Sequence, residues 1–142
     1  MSPIYVDSSA WVKLLVAERE TATLEAFVER REAEGDWFLS SDLLRVELHR
    51  FAVRERLDPE RIVELLGNVD LVALGRSVVD LACSVPRHVK ALDALHLGTA
   101  MMLMDEAEGE EAVRTVLTYD VAMAQAARDA GFEVVSPGAE AS

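Results

Sequence analysis

Three apolar residues near the start of the chain, Ile4, Tyr5 and Val6, are cut off by Asp7, Ser8 and Ser9, and a helix-forming stretch opens at Ala10. A run this short, partly β-branched and halted this sharply, reads as a buried strand that passes straight into a helix. In open α/β sheets ligands gather at the carboxyl ends of the strands, which is where Asp7 stands. The remaining sequence is therefore searched for acids that could reach the same end of a sheet.

Ser8 or Ser9 can cap a first helix over Ala10–Ala17, and an amphipathic helix follows over Thr21–Glu34, with Leu24, Phe27 and Val28 on one face and Gly35 as its stop. Trp37–Leu39 reads as a second strand, and Ser40 or Ser41 caps a helix over Asp42–Arg56. Asp58 followed by Pro59 opens a helix that runs to Leu66. A strand over Asp70–Leu74, a short helix over Arg76–Cys83 and a long apolar helix over Val89–Met104 come next. An acidic connection, Asp105–Glu111, leads to a strand over Val113–Thr118. Asp120 caps a helix over Val121–Ala130, Gly131 ends it, and Glu133–Val135 is the last strand. Strands that alternate with helices in this way imply a parallel sheet covered on both faces. Residues 1–137 read as one domain and residues 138–142 as a frayed tail.

Composition narrows the function classes. No apolar run approaches a membrane span, and the N-terminus lacks a basic region followed by an apolar stretch, so the expected compartment is the cytoplasm. A single cysteine, Cys83, excludes an internal disulfide and a cysteine zinc site. The formal charge of −12 argues against a polyanionic partner at first sight, but it is unevenly spread: residues 37–100 hold 8 Lys+Arg against 9 Asp+Glu, and the remainder 6 against 17. The middle of the chain can still present basic surface.

Four acids stand out. Asp120 repeats the arrangement of Asp7, an acid that follows an apolar strand and precedes a helix. Aspartate is also a favoured N-cap, so a structural role competes at both. Glu47 lies about 60° from Leu44 and about 40° from Phe51 on a helical wheel, at the border of the buried stripe. A salt bridge to Arg50 or Arg54 competes there. Asp93 interrupts the otherwise apolar Ala91–Ala100, where an acid needs a partner unless the helix N-terminus supplies one. Four carboxylates without cysteine form a hard oxygen site that suits Mg²⁺ or Mn²⁺ better than zinc. One or two such ions would relieve the mutual repulsion, hold a phosphodiester and activate a water. Arg45, His49, Arg50, Arg54 and Arg56 could follow a phosphate backbone beside Glu47, and Lys13 is a further candidate, although a solvated helix face is the commoner meaning of such a run. His49, His88 and His96 are too scattered for a ligand set and read as packing or surface residues.

Taken together, Tyr5-Val6-Asp7-Ser8-Ser9-Ala10, Arg45-Val46-Glu47-Leu48-His49-Arg50, Leu92-Asp93-Ala94-Leu95-His96-Leu97 with Thr99-Ala100, and Thr118-Tyr119-Asp120 with Ala124, Ala126, Ala127 and Gly131 resemble the PIN-domain nucleases, specifically the VapC toxins of toxin–antitoxin pairs. Each motif is weak alone; four in order across nearly the whole chain are specific. The resemblance implies a three-layer α/β/α sandwich around a five-stranded parallel sheet with the first strand central, and a metal-dependent cleavage of RNA. It assigns Asp7, Glu47, Asp93 and Asp120 to the metal, and Thr118 to orienting the site through its hydroxyl. Some relatives carry a further acid near Thr118 that is missing here, which leaves the number of ions open. It also implies a homodimer and a small VapB-like antitoxin whose tail occupies the groove. Two other readings compete. One is a PIN-like interaction module with a silent site; the other is a phospho-receiver signalling domain, which would need acids grouped after the first strand and a late lysine, whereas the last lysine is Lys90.

Overall fold

The computed structural model of the chain describes residues 1–139. Five strands, β1 (Pro3–Val6), β2 (Trp37–Ser41), β3 (Val69–Val72), β4 (Thr115–Leu117) and β5 (Glu133–Val135), form one parallel sheet in the order β3-β2-β1-β4-β5. The four residues of β1 are fully buried, as expected of a central strand with helices on both faces. Alternation along β1 divides the core. Ile4 and Val6 point into one layer with Leu24, Phe38, Leu44, Leu48 and Ile62, and Tyr5 points into the other with Leu97, Val116 and Met123. Burial of each large apolar side chain contributes about 1.5–3 kcal/mol.

The first layer is built from α1 (Ser8–Trp11), α2 (Thr21–Ala33), α3 (Asp42–Glu55) and α4 (Pro59–Leu66); the second is built from α6 (Ala91–Glu106) and α7 (Val121–Asp129). Between them in sequence, α5 (Arg76–Cys83) packs against α6. That approach depends on Gly98 in α6, where a Cβ would come within 2.8 Å of the Val78 carbonyl oxygen and 3.1 Å of the Ala82 nitrogen. The three-layer sandwich expected from the sequence is present.

The first helix is shorter than the expected Ala10–Ala17. Asp7, not a serine, is its N-cap, and after Trp11 the chain makes a single 3-10 turn over Val12–Leu14. Two outside donors occupy carbonyls that a longer helix would have used: the Thr21 hydroxyl bonds the Lys13 oxygen at 2.7 Å, and the Arg61 guanidinium bonds the Leu15 oxygen at 2.7 Å. Similarly, β3 stops at Val72 and not Leu74, because its partner β2 ends at Ser41, opposite Val72. No helix among the described residues is long and apolar enough to cross a membrane. Gly138 and Ala139 complete a turn in which the Ala139 N–H bonds the Ser136 oxygen at 2.9 Å; the rest of the tail expected from residue 138 lies outside the described residues.

Candidate active site

The chain leaves β1 for β2 on one side and later returns as β4 on the other, and the helices that follow β1 and β4 lie on opposite faces of the sheet, so a crevice opens at the carboxyl ends of the two strands. Val6 is opposite Leu117 in the register, which sets the next residues, Asp7 and Thr118, side by side. Asp7 is 2% exposed. The Thr118 hydroxyl donates to its Oδ2 at 2.5 Å, the Ser9 hydroxyl to its Oδ1 at 2.6 Å, and the Ala10 N–H to Oδ1 at 3.4 Å. Burial pushes the Asp7 carboxyl above the usual carboxylate range, and the Ser9 and Thr118 hydrogen bonds oppose that rise. Thr118 in turn accepts the Asp120 N–H at 3.1 Å, and Ser9 accepts the Tyr119 N–H at 2.8 Å. Asp120 caps α7 through the Met123 N–H at 2.8 Å. Both strand-end aspartates are therefore caps as well as cleft residues, and capping fixes their rotamers.

Glu47 approaches from α3. Neither Arg50 nor Arg54 pairs with it among the described residues: its Oε1 lies 2.6 Å from His96 Nε2, and its Oε2 accepts the Ser8 hydroxyl at 3.2 Å. His96 is fully buried on α6, so this contact joins the two helix layers over the end of the sheet. Its other nitrogen, Nδ1, lies 2.7 Å from the buried Tyr5 hydroxyl. Reading His96 as packing is thus incomplete. The available signal was one imidazole on an otherwise apolar helix face, but its partners stand 49 and 91 residues away in sequence.

Asp93 sits in the first turn of α6. Its carboxyl is pushed up to about 6, by burial first and then by the charges of Asp120 and Asp7; His96 opposes the rise and Glu47 adds to it. The helix dipole, which favours the anion, is outweighed. Asp7, Glu47, Asp93 and Asp120 line one cleft of about 870 Å³, together with Ser8, Ser9, Arg50, Phe51, Arg54 and Lys90. An all-oxygen donor set, in which the charges of the other acids add to the raised proton affinity of Asp93, has the chemistry to hold a hard dication. Among the described residues no three of these acids stand close enough to make a finished ligand cage.

The cations are distributed differently from the expectation. Arg50, Arg54 and Lys90 reach the cleft, whereas Arg45, His49 and Arg56 do not line it. Lys13 is largely buried and bound to Glu18 at 2.7 Å and Glu20 at 3.3 Å, 4.7 Å above the Tyr119 ring, so it serves the fold and is not free to meet a phosphate. Lys90 has no periodic or motif context in the sequence and comes into view only as the residue before α6. The acids come from four separate places, the N-cap of α1 after β1, α3, α6 and the N-cap of α7 after β4, and are not grouped after the first strand as a receiver domain would need.

Comparison with known proteins gives one consistent picture. The family model described as "PIN domain" matches residues 4–129. Ribonuclease VapC47 of Mycobacterium tuberculosis (strain CDC 1551 / Oshkosh) is 34% identical over 139 residues, covering 96% of this chain and 98% of that protein. Ribonuclease VapC46 of M. tuberculosis (strain ATCC 25618 / H37Rv) is 36% identical over 140 residues, covering 96% and 99%. Among solved structures, M. tuberculosis VapC20, a Sarcin-Ricin loop cleaving toxin, superposes with a TM-score of 0.66 at 16% identity, over 94% of this chain and 99% of that one. A toxin–antitoxin complex from Klebsiella pneumoniae superposes with a TM-score of 0.62 at 16% identity, over 94% and 97%. At such identities the structures speak for the fold alone.

Proposed function

The chain belongs to the PIN-domain family, and we propose that it is a divalent-metal-dependent endoribonuclease that acts as the toxin of a toxin–antitoxin pair. The observation that carries this reading is the convergence of Asp7, Glu47, Asp93 and Asp120 on one cleft, where burial first and then the neighbouring charges push the Asp93 carboxyl up to about 6. The relatives' names, ribonucleases VapC47 and VapC46, support the substrate class.

Asp7 and Asp93 are the principal ligands in this reading, with Glu47 and Asp120 completing the set. A bound Mg²⁺ or Mn²⁺ would supply Lewis acidity to a phosphodiester oxygen and lower the pKa of the attacking water. The protein's own part is orientation. Ser9 and Thr118 fix both oxygens of Asp7, and Thr118 ties that carboxylate to the start of the Asp120 turn. Arg50, Arg54 and Lys90 on the cleft wall hold backbone phosphates that the acidic floor would otherwise repel. A formal charge of −12 suits a basic antitoxin segment as the inhibitory partner. A homodimer and the cytoplasm complete the proposal.

The test is cleavage of a structured RNA with Mg²⁺ or Mn²⁺, compared with chelator and with Asp7→Ala and Asp93→Ala. Activity that needs metal and falls to the chelator background in both variants is expected. Cleavage that survives chelator and both substitutions, contamination excluded, would sink the mechanism.

A further inference from the structure

Tyr5 and His96 are buried and do not line the cleft, yet the chain Tyr5–His96–Glu47 ends on one of its carboxylates. Tyr5 is on β1 and His96 on α6, both fully buried, and Glu47 comes from α3 on the opposite face of the sheet. The distances are 2.7 Å from the Tyr5 hydroxyl to Nδ1 and 2.6 Å from Nε2 to Glu47 Oε1. We propose that His96 is a positioning residue for the metal site: it holds Glu47 in the orientation from which that carboxylate meets the cation, and Tyr5 fixes the imidazole that does so.

The proton placement follows from donor chemistry. An ionised carboxylate only accepts, so a contact of 2.6 Å requires a proton on Nε2. If the imidazole is neutral, Nδ1 is then an acceptor and the Tyr5 hydroxyl donates to it. If the imidazole is charged, Nδ1–H donates to the phenol oxygen instead. In both cases Nε2–H points at Glu47. Burial drives the Tyr5 hydroxyl far above its ordinary range, so the phenol stays protonated and can serve in either arrangement. The Ser8 hydroxyl holds the other Glu47 oxygen at 3.2 Å, which leaves the carboxylate clamped at both atoms. The competing view is that His96 merely fills the second core layer. Packing alone, however, does not require an imidazole with both nitrogens matched to partners in two different layers. Groups that orient a metal ligand in this way typically change metal affinity or activity by roughly 10–100-fold when removed.

The inference rests on the metal-site reading above, and the experiment separates the two. Mn²⁺ binding to the full chain is measured by electron paramagnetic resonance, alongside the Mn²⁺ concentration for half-maximal RNA cleavage, for wild type, His96→Leu, His96→Gln and Tyr5→Phe. The same His96→Leu change is also made in a Glu47→Ala background. In the wild-type background His96→Leu is expected to weaken Mn²⁺ binding and raise the half-maximal concentration by roughly 10–100-fold. His96→Gln, which can donate to Glu47 and accept from Tyr5, recovers most of the loss, Tyr5→Phe has an intermediate effect, and His96→Leu adds nothing once Glu47 is alanine. Unchanged Mn²⁺ affinity in folded His96→Leu would overturn the role of His96 alone, as would an equal loss in the Glu47→Ala background. Wild type that binds no Mn²⁺ and cleaves no RNA would overturn the metal-site reading and this inference together. If His96→Leu does not fold, His96→Asn, too short to reach Glu47, is judged by the same outcomes.

Discussion

The two halves of the cleft hold their acids by different means. In the strand half, Asp7 follows β1 directly and Asp120 stands three residues beyond the end of β4, and their oxygens are met by neighbours in the same turn or the adjacent one: Ala10 N–H and the Ser9 and Thr118 hydroxyls for Asp7, Met123 N–H for Asp120. In the helix half, Glu47 and Asp93 project from α3 and α6 and rely on what the other layer brings. Glu47 finds His96 across the sheet, while Asp93 meets burial first and then the repulsion of Asp120 and Asp7. The strand half is thus set by register and capping, whereas the helix half is set by packing between layers. One half should tolerate movement of α6, and the other should not.

The largest effect that tests this contrast is expected at Thr118. Its hydroxyl both donates to Asp7 and accepts from the Asp120 backbone, so it ties the strand half together. Thr118→Val keeps the buried volume and removes both bonds; RNA cleavage should fall roughly 10–100-fold at fixed metal, with Thr118→Ser close to wild type. Equal activity in the valine and serine variants would show that register alone places Asp7.

A smaller effect is expected where α6 meets α5. Gly98→Ala gains helix propensity of about 1 kcal/mol, but its Cβ would press within 2.8 Å of the backbone oxygen of Val78, which cannot rotate away. The net expectation is a loss of about 1–3 kcal/mol in unfolding by denaturant. Because His96 and Asp93 travel with α6, the variant should also need more Mn²⁺ for cleavage. A stability loss with unchanged metal dependence would mean that the helix half is less sensitive to packing than its geometry suggests.

The same contrast explains what was legible in the sequence. Asp7 and Asp120 could be read because a strand, a stop and a cap are local and leave their mark within six residues. The sheet, its parallel sense and nearly every helix followed from the same kind of signal. Glu47 was visible at one remove, through its angle on a helical wheel. Its partner was not, since arginines at short spacing offered an equally good local explanation and the true one, His96, is brought in by the crossing of two layers. The failures at Lys13 and at the end of the first helix share this cause. Thr21 and Arg61 intercept the carbonyls of Lys13 and Leu15, and Glu18 and Glu20 claim the lysine; nothing in Trp11–Val16 announces either event.

The smallest expected effect concerns pH, and it bears on the least satisfied acid. In the folded chain Asp93 titrates near 6 against an ordinary value of 3.8, so the folded state holds this proton more tightly than the unfolded state does. The stability that this contributes is complete below the ordinary value and is lost as pH rises through about 6. At neutral pH and without metal, an ionised Asp93 therefore stands uncompensated beside Asp7 and Asp120. Asp93→Asn should raise the melting temperature of chelator-treated protein at pH 7.5 and leave it nearly unchanged near pH 4. The shift is modest, because the group is only half buried and solvent screens it. Saturating Mn²⁺ should reverse the order, since wild type gains stability from binding that the asparagine variant has largely lost. A wild-type-to-variant difference that is the same at pH 4 and pH 7.5 would show that Asp93 is not strained by its neighbours. Calorimetric scans at the two pH values, with chelator and with Mn²⁺, decide it. If Asp93→Asn is stabilising only without metal, the acid least secured by the fold is the one whose charge the cation is needed to balance.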